Sequence, residues 1–347
     1  MKSFIKMTLA VVCGILVVSV ITIFLCLSLF GALAAAGNAK SPLPKEGVLD
    51  IDMSKIMLCE QAGGVNPASM MPSNNLQIRP IGLWDAVQAI NAAAEDPAIK
   101  YVYLRPEGMT VQSFAQVEEL RAALSKFRVS GKPVIASMEA PSTISYYLGS
   151  VADKIYLSDC SGATYMLNGI SSSLVFLKDL LDSFDVNIQL VRHGKYKSYG
   201  EMFTKNAPSA ENYNQTQDMI NSLWNSLSLD MCSNRDITPD ELNAIVDNLE
   251  LTEPKDFVEE GLVDELMSRE QLLDKLTTLS GKDKYSDVHF ISLSDYAAAK
   301  VPAISRGKQK IAVIYADGNI NMGSSKQEIA GSRFARIIAD VRADSTV

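Results

Sequence analysis

Two lysines in one short segment are the residues of this sequence best suited to chemistry. The segment is His193–Tyr199, which contains Lys195 and Lys197 and follows an alternating apolar run, Asn187–Val191, that predicts a strand. A lysine just past a buried strand is shielded from water, and a desolvated lysine can stay neutral and act as a base. Alternation along the chain places both lysines on the same side, so this pattern does not choose between them.

Other residues with reactive side chains form weaker patterns. Ser305 and Lys308 fit a Ser-x-x-Lys spacing, but they fall in a predicted linker without the companion motifs of penicillin-binding proteins. The serines at 171–173 predict a helix cap, and Glu107, at a strand end, predicts a surface carboxylate. The chain has two histidines, which disfavours zinc chemistry and a Ser-His-Asp triad.

Composition narrows the class of protein. The 347 residues are enough for about two domains, and the formal net charge of −8, without a basic stripe, argues against nucleic-acid binding. Of the five cysteines, Cys13 and Cys26 fall in an N-terminal apolar run, and the other three are too widely spaced for a disulfide framework or a metal site. We therefore predict no cofactor, no metal and no nucleic-acid partner.

The N-terminus predicts a membrane anchor. Lys2 and Lys6 precede an apolar run from about Thr8 to Ala36, which exceeds the ~20 residues needed to cross a bilayer. A secretory signal has an apolar region of only ~7–15 residues, although the small residues that end the run leave cleavage open as the alternative. Lysines before the span place its N-terminus inside the cell, so residues from about Gly37 onward are expected outside the cytoplasm.

The elements that must position the lysines alternate between strands and helices. Such alternation at short spacing predicts an α/β fold with a mostly parallel sheet, and the stretch 61–81, rich in Gly, Pro, Ser and Met, predicts an irregular loop. The predicted strands are 47–52, 99–104, 133–137 and 154–157, and the predicted helices are 84–94, 113–128, 143–151, 210–234, 239–246 and 254–276.

The pattern restarts near residue 310. The run 310–317 resembles the first strand, and residues 334–347 resemble 86–99 at an offset of 248. In the first copy a strand, a glycine-containing loop and a helix follow, and in the second copy these elements would lie beyond Val347. We therefore expect a tandem repeat of one fold, with this sequence as the N-terminal part of a longer protein.

The segment Gly194–Ser198, followed by Glu201 and Phe203, resembles the G-x-Y-K-S segment of the signal peptide peptidase A family, the long form of protease IV in peptidase family S49. The resemblance covers nearly the whole chain, including the anchor and the stretches 132–136 and 146–156. It implies a ClpP/crotonase-like fold in two tandem halves after a transmembrane helix. It also implies a membrane-anchored serine endopeptidase with a Ser-Lys dyad.

In that family the lysine comes from the first half of the protein and the serine from the second. The matching lysine is Lys197, so the resemblance implies Lys197 as the general base and a nucleophilic serine beyond Val347. It further implies signal peptides or other apolar peptides as substrates, assembly as a homo-tetramer, and a bacterial inner-membrane location with the catalytic part outside the cytoplasm. We expect these 347 residues alone to show no peptidase activity.

The resemblance also implies an organisation for the chain. An anchor at 1–36 and a tether at 37–46 precede a first S49 domain with a helical extension at 47–300, and a linker with the start of a second S49 domain occupies 301–347. Two other functions stay open: a catalytically inactive, crotonase-like interaction module at the membrane, and an acyl-group enzyme of the crotonase type. The acyl-group enzyme is disfavoured, because no residue pattern points to coenzyme A and the expected location is outside the cytoplasm.

Overall fold

Most of the chain after residue 42 is described by the computed structural model. The described residues are 14, 18–19, 21–24, 43–60, 78–111, 113–160, 162–301, 309–316, 318–326 and 328–347. The chain divides into two compact units, Met1–Leu43 and Pro44–Val347, and the strands among the described residues all lie in the second unit.

The predicted anchor lies largely outside the described residues. Within it, residues 14, 18–19 and 21–24 are described, and they are helical. Among the residues that the structure describes, no helix has both the length and the apolar character needed to cross a membrane. The span over Thr8–Ala36 therefore stays a prediction.

The strands of the second unit are short, and several are apolar on both faces, as is usual where a parallel sheet is covered by helices. The strands are β1 (Gly47–Asp52), β2 (Ile56–Cys59), β3 (Arg79–Gly82), β4 (Ile99–Arg105), β5 (Thr110–Val111), β6 (Val134–Met138), β7 (Lys154–Ser158), β8 (Glu265–Met267), β9 (Phe290–Ser292), β10 (Ile320–Asn321) and β11 (Ile329–Ala330).

The helices connect these strands and cover the sheet. The helices are α1 (Leu83–Glu95), α2 (Phe114–Val129), α3 (Thr143–Gly149), α4 (Lys178–Ser183), α5 (Glu201–Thr204), α6 (Ala210–Cys232), α7 (Pro239–Asp247), α8 (Pro254–Glu259), α9 (Arg269–Leu279), α10 (Leu293–Lys300) and α11 (Gly331–Ala343).

A six-stranded sheet with the order β8-β7-β6-β4-β1-β9 forms the centre of the unit, and each neighbouring pair is parallel. A second, three-stranded parallel sheet has the order β3-β2-β5. The predicted α/β fold with a parallel sheet is therefore confirmed. The predicted strands 47–52, 99–104, 133–137 and 154–157 form within one residue of their predicted ends, because each is an apolar run that the sheet buries.

Two apolar cores lie on the two faces of this sheet. Strand β4 contributes to both, since successive side chains of a strand point to opposite faces. Tyr101 and Tyr103 pack with Leu276 of α9 on one face. The alternate residues of β4, Val102 and Leu104, belong to the opposite face and are fully buried, as is Ile90 of α1. Helix α9 covers its face only in part, and the uncovered part forms a cavity at the carboxyl ends of the strands.

The predicted helix over 254–276 is wrong. The stretch instead forms α8, then strand β8, then α9. Gly261 has a positive φ of 70°, which ends α8, and β8 pairs in parallel with β7 at the sheet edge. The predicted loop at 61–81 is only partly testable, since 61–77 lie outside the described residues and Arg79–Gly82 form β3.

The C-terminal segment has the same local structure as the start of the unit. Strands β2 and β3 pair in parallel and β3 runs directly into α1, just as β10 and β11 pair in parallel and β11 runs directly into α11. The two helices begin and end 248 positions apart. After each helix an aspartate, Asp96 or Asp344, accepts a hydrogen bond of 2.9 Å from the backbone N–H two residues further on.

The predicted strand at 310–317 is not formed. The described part, 309–316, has no strand, and its side chains are exposed, including Ile311 at 93%. Among the described residues, the first backbone contact of such a strand is present: the Lys310 N–H donates to the Thr346 carbonyl, as the Gly47 N–H donates to the Ala98 carbonyl at the start of β1.

Candidate functional site

The segment before the two lysines does not form the predicted strand. Residues 186–191 are coil with exposed side chains, and Val191 is 92% exposed. The central sheet ends instead at β8 and β9, so among the described residues this segment pairs with no strand. The interpretation that Lys197 is desolvated by a preceding buried strand is therefore wrong, and the Lys197 side chain is exposed.

The backbone around Lys197 is nevertheless ordered by specific hydrogen bonds. Gly194 has a φ of 96°, a conformation that glycine adopts without strain, and starts a turn in which the Lys197 N–H donates to the Gly194 carbonyl at 3.4 Å. The Arg192 guanidinium donates to the Lys197 carbonyl at 2.8 Å. The Glu201 N–H then donates to the Ser198 carbonyl at 2.9 Å, which joins the turn to α5.

Glu201 is the buried group at the base of this turn. Its side chain is 1% exposed, and it accepts hydrogen bonds from Arg192 at 3.0 Å and from the Ser209 hydroxyl at 2.7 Å. Burial alone would raise its pKa, but the hydrogen bonds from Ser209 and Arg192 and the charge of Lys205 outweigh burial and lower the pKa to about 2. Sequence reasoning did not assign a role to Arg192 or Glu201.

The two lysines differ in their surroundings, which the sequence pattern did not predict. The Lys195 ammonium lies 3.7 Å from a carboxylate oxygen of Glu211 and 5.2 Å from the centre of the Tyr196 ring. The Lys197 amine has no ion-pair or hydrogen-bond partner within the part of the chain that the structure describes. Lys197 is thus the lysine whose amine is free to meet another group.

A cavity of about 680 Å³ lies at the carboxyl ends of the parallel strands, where α/β folds commonly bind ligands. The lining combines apolar and aromatic side chains with charged and hydroxyl groups. The lining includes Asp50, Asp52, Tyr103, Arg105, Ser137, Tyr156, Met267, Leu272, Tyr285 and Phe290.

The polar groups of the cavity bond to one another. Arg105 donates to both carboxylate oxygens of Asp50, at 2.8 and 2.7 Å, and lies 3.0 Å from Asp52. Burial raises the pKa of Asp50, whereas hydrogen bonds from Ser54 and Lys55 outweigh burial and lower the pKa of Asp52. These groups form a network of charges in which the Ser54 hydroxyl donates to Asp52 at 2.6 Å, and that carboxylate is already paired with Lys55 and Arg105.

Two further hydrogen-bonded groups lie at this edge. The Tyr103 phenol and the Ser137 hydroxyl share a hydrogen bond of 2.7 Å. Glu107, predicted to be a surface carboxylate, accepts hydrogen bonds from the backbone N–H groups of Glu139 at 2.8 Å and Ala140 at 2.5 Å, and burial raises its pKa. The cavity is therefore equipped to bind a ligand, and its hydroxyl groups are not set up for nucleophilic attack.

The remaining candidates add little chemistry. Ser305 and Lys308 lie outside the described residues. The serines at 171–173 do not cap a helix, because α4 begins later with Leu177 at its N-cap. In the part of the chain that is described, no group of three or more His, Cys, Asp or Glu side chains converges in a way that would hold a metal ion.

Comparison with known proteins relates the Lys197 turn to an enzyme family. Residues 126–283 match the model of peptidase family S49, and this range includes the whole turn, α6 and α9. The chain is 32% identical to Protease 4 of Haemophilus influenzae over 279 residues, which are 78% of this chain and 45% of the relative.

Two further relatives agree. Protease 4 of Salmonella typhi is 30% identical over 346 residues, 96% of this chain and 55% of the relative. The chloroplastic serine protease SPPA of Arabidopsis thaliana is 25% identical over 244 residues, 69% of this chain and 35% of the relative. The chain thus spans about half the length of the Protease 4 relatives that it matches.

Among solved structures, human mitochondrial delta3-delta2-enoyl-CoA isomerase is similar to this chain over an alignment that covers 66% of this chain and 73% of the isomerase chain. The TM-score is 0.30 and the sequence identity is 12%. A similarity this low supports no conclusion about fold or function.

Proposed function

We propose, since the chain belongs to peptidase family S49, that it supplies the general base of a serine endopeptidase with a Ser-Lys dyad. Lys197 is the base in this proposal. The nucleophile is the serine that the family carries in its second half.

The observation that carries this proposal is the difference between the two lysines. The family match includes both, but the Lys195 ammonium is already paired with Glu211 at 3.7 Å, whereas the Lys197 amine has no partner among the described residues. A general base needs a lone pair and direct access to the proton that it abstracts. Lys197 has this access, because it lies on an exposed turn whose backbone is held in place by hydrogen bonds.

The chemistry follows from these roles. Neutral Lys197 takes the proton of the serine hydroxyl while the serine oxygen attacks the carbonyl carbon of a peptide bond. The C–N bond then breaks, the departing amine takes the proton from the Lys197 ammonium, and an ester to the serine is left. Water then attacks this ester while Lys197 again accepts a proton. The bond between the carbonyl carbon and the serine oxygen breaks, the Lys197 ammonium returns the proton to that oxygen, and the second peptide fragment leaves as a carboxylic acid.

A neutral lysine at physiological pH requires loss of water around its amine. Lys197 is exposed in this structure, so the proposal requires that another surface cover it. We propose that the serine-bearing half provides that surface.

The tandem arrangement of two related halves is part of the proposal. Support comes from the order of β10, β11 and α11, which matches that of β2, β3 and α1, with helix bounds 248 positions apart. The paired aspartates Asp96 and Asp344 and the contact between Lys310 and Thr346 agree with a second copy that starts near residue 310.

Substrates, assembly and location are proposed from the same family membership. We propose cleaved signal peptides or other apolar peptides as substrates, a homo-tetramer as the assembly, and a membrane-anchored protein of the bacterial inner membrane acting outside the cytoplasm. The proposed assembly is supported by large apolar side chains that are more than half exposed in this chain, since such side chains are typical of surfaces that a partner covers. They include Val175, Phe184, Val191, Ile311, Val313, Ile320 and Met322.

The proposal is tested with two matched lysine variants in a protein that joins this chain to the serine-bearing half. Lys197→Ala is expected to lower kcat for an apolar peptide by about 10³-fold or more, since the nucleophile loses its activating base. Lys195→Ala is expected to keep kcat within about threefold, because its ion pair with Glu211 is a weak surface contact. Equal losses in both variants, or unchanged activity in both, would contradict the assignment of Lys197. Absence of peptidase activity in the unaltered joined protein would favour an inactive interaction module.

A further inference from the structure

A buried carboxylate lies beneath the turn that presents Lys197. Glu201 belongs to the four-residue helix α5, and its side chain is 1% exposed. Charged side chains are rarely buried unless each oxygen is paired, and Glu201 meets this condition. Oε1 accepts from Arg192 at 3.0 Å and from the Ser209 hydroxyl at 2.7 Å, and Oε2 accepts from the Ser209 N–H at 3.0 Å.

These contacts attach the turn to a long helix. Ser209 is the N-cap of the 23-residue helix α6, where its hydroxyl accepts from the Asn212 N–H at 3.2 Å. The Asn212 side-chain amide reaches the Glu201 carboxylate at 3.4 Å. Glu201 is therefore fixed on the N-terminal end of a rigid element, while its backbone remains part of the turn.

The link from Glu201 to Lys197 passes through one guanidinium nitrogen. Nη1 of Arg192 donates to Oε1 of Glu201 at 3.0 Å and to the Lys197 carbonyl at 2.8 Å. Arg192 is thus a bridge between a buried anion and the backbone of the proposed base. A charge-assisted pair of this kind is among the stronger hydrogen bonds in proteins.

Few other contacts hold the backbone of the turn at Lys197. The hydrogen bond from the Lys197 N–H to the Gly194 carbonyl is long, at 3.4 Å, and the preceding residues are exposed coil. The side chains of Tyr196 and Tyr199 are 55% and 84% exposed and give little packing. The Ser198 N–H, in the same peptide unit as the Lys197 carbonyl, donates to the Tyr196 carbonyl at 3.0 Å, which is a contact within the turn. Among the described residues, the contact through Arg192 ties the Lys197 carbonyl to a group outside residues 194–198.

We propose that Glu201, acting through Arg192, is a positioning residue that fixes the backbone of Lys197 relative to helix α6. The proposal deepens the proposed function and rests on Lys197 as the general base. The role of Glu201 is to keep the Lys197 amine oriented toward the serine proton, since a base must lie within hydrogen-bond reach of the proton that it takes. Neither Glu201 nor Arg192 takes part in proton transfer.

The first test measures hydrogen exchange of the turn amides in the 347-residue chain. Glu201→Gln retains the shape of the side chain but not its charge, and Glu201→Ala removes the acceptor. We expect amides from Gly194 to Ser198 to exchange about tenfold faster in either variant, as loss of a charge-assisted hydrogen bond predicts. Glu211→Gln is the matched control, because it removes the α6 carboxylate that lies beside Lys195, and it is expected to leave these amides unchanged.

The second test separates positioning from a general loss of stability. In a protein that contains the serine-bearing half, Arg192→Ala and Glu201→Gln are expected to lower kcat by about 10–100-fold with KM within about twofold. Arg192→Lys keeps a cation beside Glu201 and is expected to recover part of that kcat. A merely structural role would instead lower the amount of folded enzyme and leave kcat per folded molecule unchanged.

The two proposals fail in different ways. Unchanged exchange and unchanged kcat in the Glu201 and Arg192 variants, with activity still lost in Lys197→Ala, would overturn the positioning role and leave the proposed function intact. Unchanged activity in Lys197→Ala would overturn the proposed function whatever the exchange rates are. If Glu201→Ala does not fold, the isosteric Glu201→Gln decides the first test.

Discussion

Glu201 shows how one residue can be both buried and charged. Its carboxylate is enclosed by hydrogen-bond donors from Arg192, Ser209 and Asn212, with the Lys205 ammonium 3.5 Å away. The lowered pKa, about 2 against an ordinary value of 4.5, reports that the ionised form is stabilised by folding. The consequence is a defined dependence of stability on pH.

The sign of that dependence follows from the direction of the shift. A carboxyl with a lower pKa in the folded state contributes stability above its unfolded pKa, and this contribution is lost as pH falls through the folded value. Above about pH 5, we expect the free energy of unfolding of the wild-type chain to exceed that of Glu201→Gln by a constant amount. The difference should shrink as pH falls from about 4.5 to about 2, as measured by urea unfolding at several pH values.

Glu211→Gln is the control for this measurement, since Glu211 is partly exposed and its partner Lys195 lies 3.7 Å away. Its difference from wild type should be small at every pH. A wild-type advantage over Glu201→Gln that does not change between pH 6 and pH 3 would contradict a charged Glu201 in the folded protein.

At the scale of elements, a buried arginine connects three helices. Arg121 of α2 donates to the backbone carbonyls of Tyr147 in α3 and Asp230 in α6, and to the Ser150 hydroxyl at 2.8 Å. Its side chain is 6% exposed, and burial lowers its pKa. Since α6 also holds Ser209, this contact fixes the helix on which the Lys197 turn rests.

Loss of Arg121 should therefore destabilise the fold. Arg121→Ala removes the charged donor that the Tyr147 and Asp230 carbonyls share and leaves them only the uncharged donors of Ser150 and Ser233. We therefore expect a loss of about 3 kcal/mol in free energy of unfolding. Arg128→Ala is the matched control on the same helix, because its ion pair with Asp153 is 2.8 Å long but partly exposed, and we expect a loss of about 1 kcal/mol or less. Similar losses in both variants, measured by urea unfolding, would contradict a special role for Arg121.

The elements also show what local sequence could predict. Strands such as 99–104 and 133–137 were predicted correctly because an apolar run next to a helix leaves few alternatives to a buried parallel strand. The run 187–191 alternates between polar and apolar residues, as a half-buried strand does, and yet forms no strand, since pairing depends on which distant segments occupy the sheet edges. Strand β8 was missed for the same reason: three residues become a strand only by pairing with β7.

The site was predictable to a similar extent. Resemblance to a family selected Lys197, and the structure adds a physical difference between Lys197 and Lys195 that alternation could not provide. Burial of Glu201 was not predictable, because glutamate is usually exposed and its partners converge only when the turn and α6 are both folded.

At the scale of the whole molecule, the well-packed α/β unit differs from two segments that expose apolar side chains. One is the stretch 174–199, which includes Phe184 at 71% exposure, and the other is 311–322, which includes Met322 at 96%. Exposure of this extent is typical of surfaces that a partner covers. Because Lys197 lies in the first segment, covering it would also remove water from the proposed base.

The central claim is that the amine of Lys197 is the base, and chemical rescue tests it most directly. In a protein that joins this chain to the serine-bearing half, Lys197→Cys should be inactive toward an apolar peptide. Alkylation with 2-bromoethylamine restores a primary amine at nearly the same distance from the backbone, and we expect it to recover at least about a tenth of wild-type kcat. Wild type treated in the same way controls for alkylation of the native cysteines, which include the exposed Cys160, and Lys195→Cys should be active before and after treatment. Two results would contradict the account. One is full activity in untreated Lys197→Cys, and the other is activity that depends on an amine at position 195 and not at position 197.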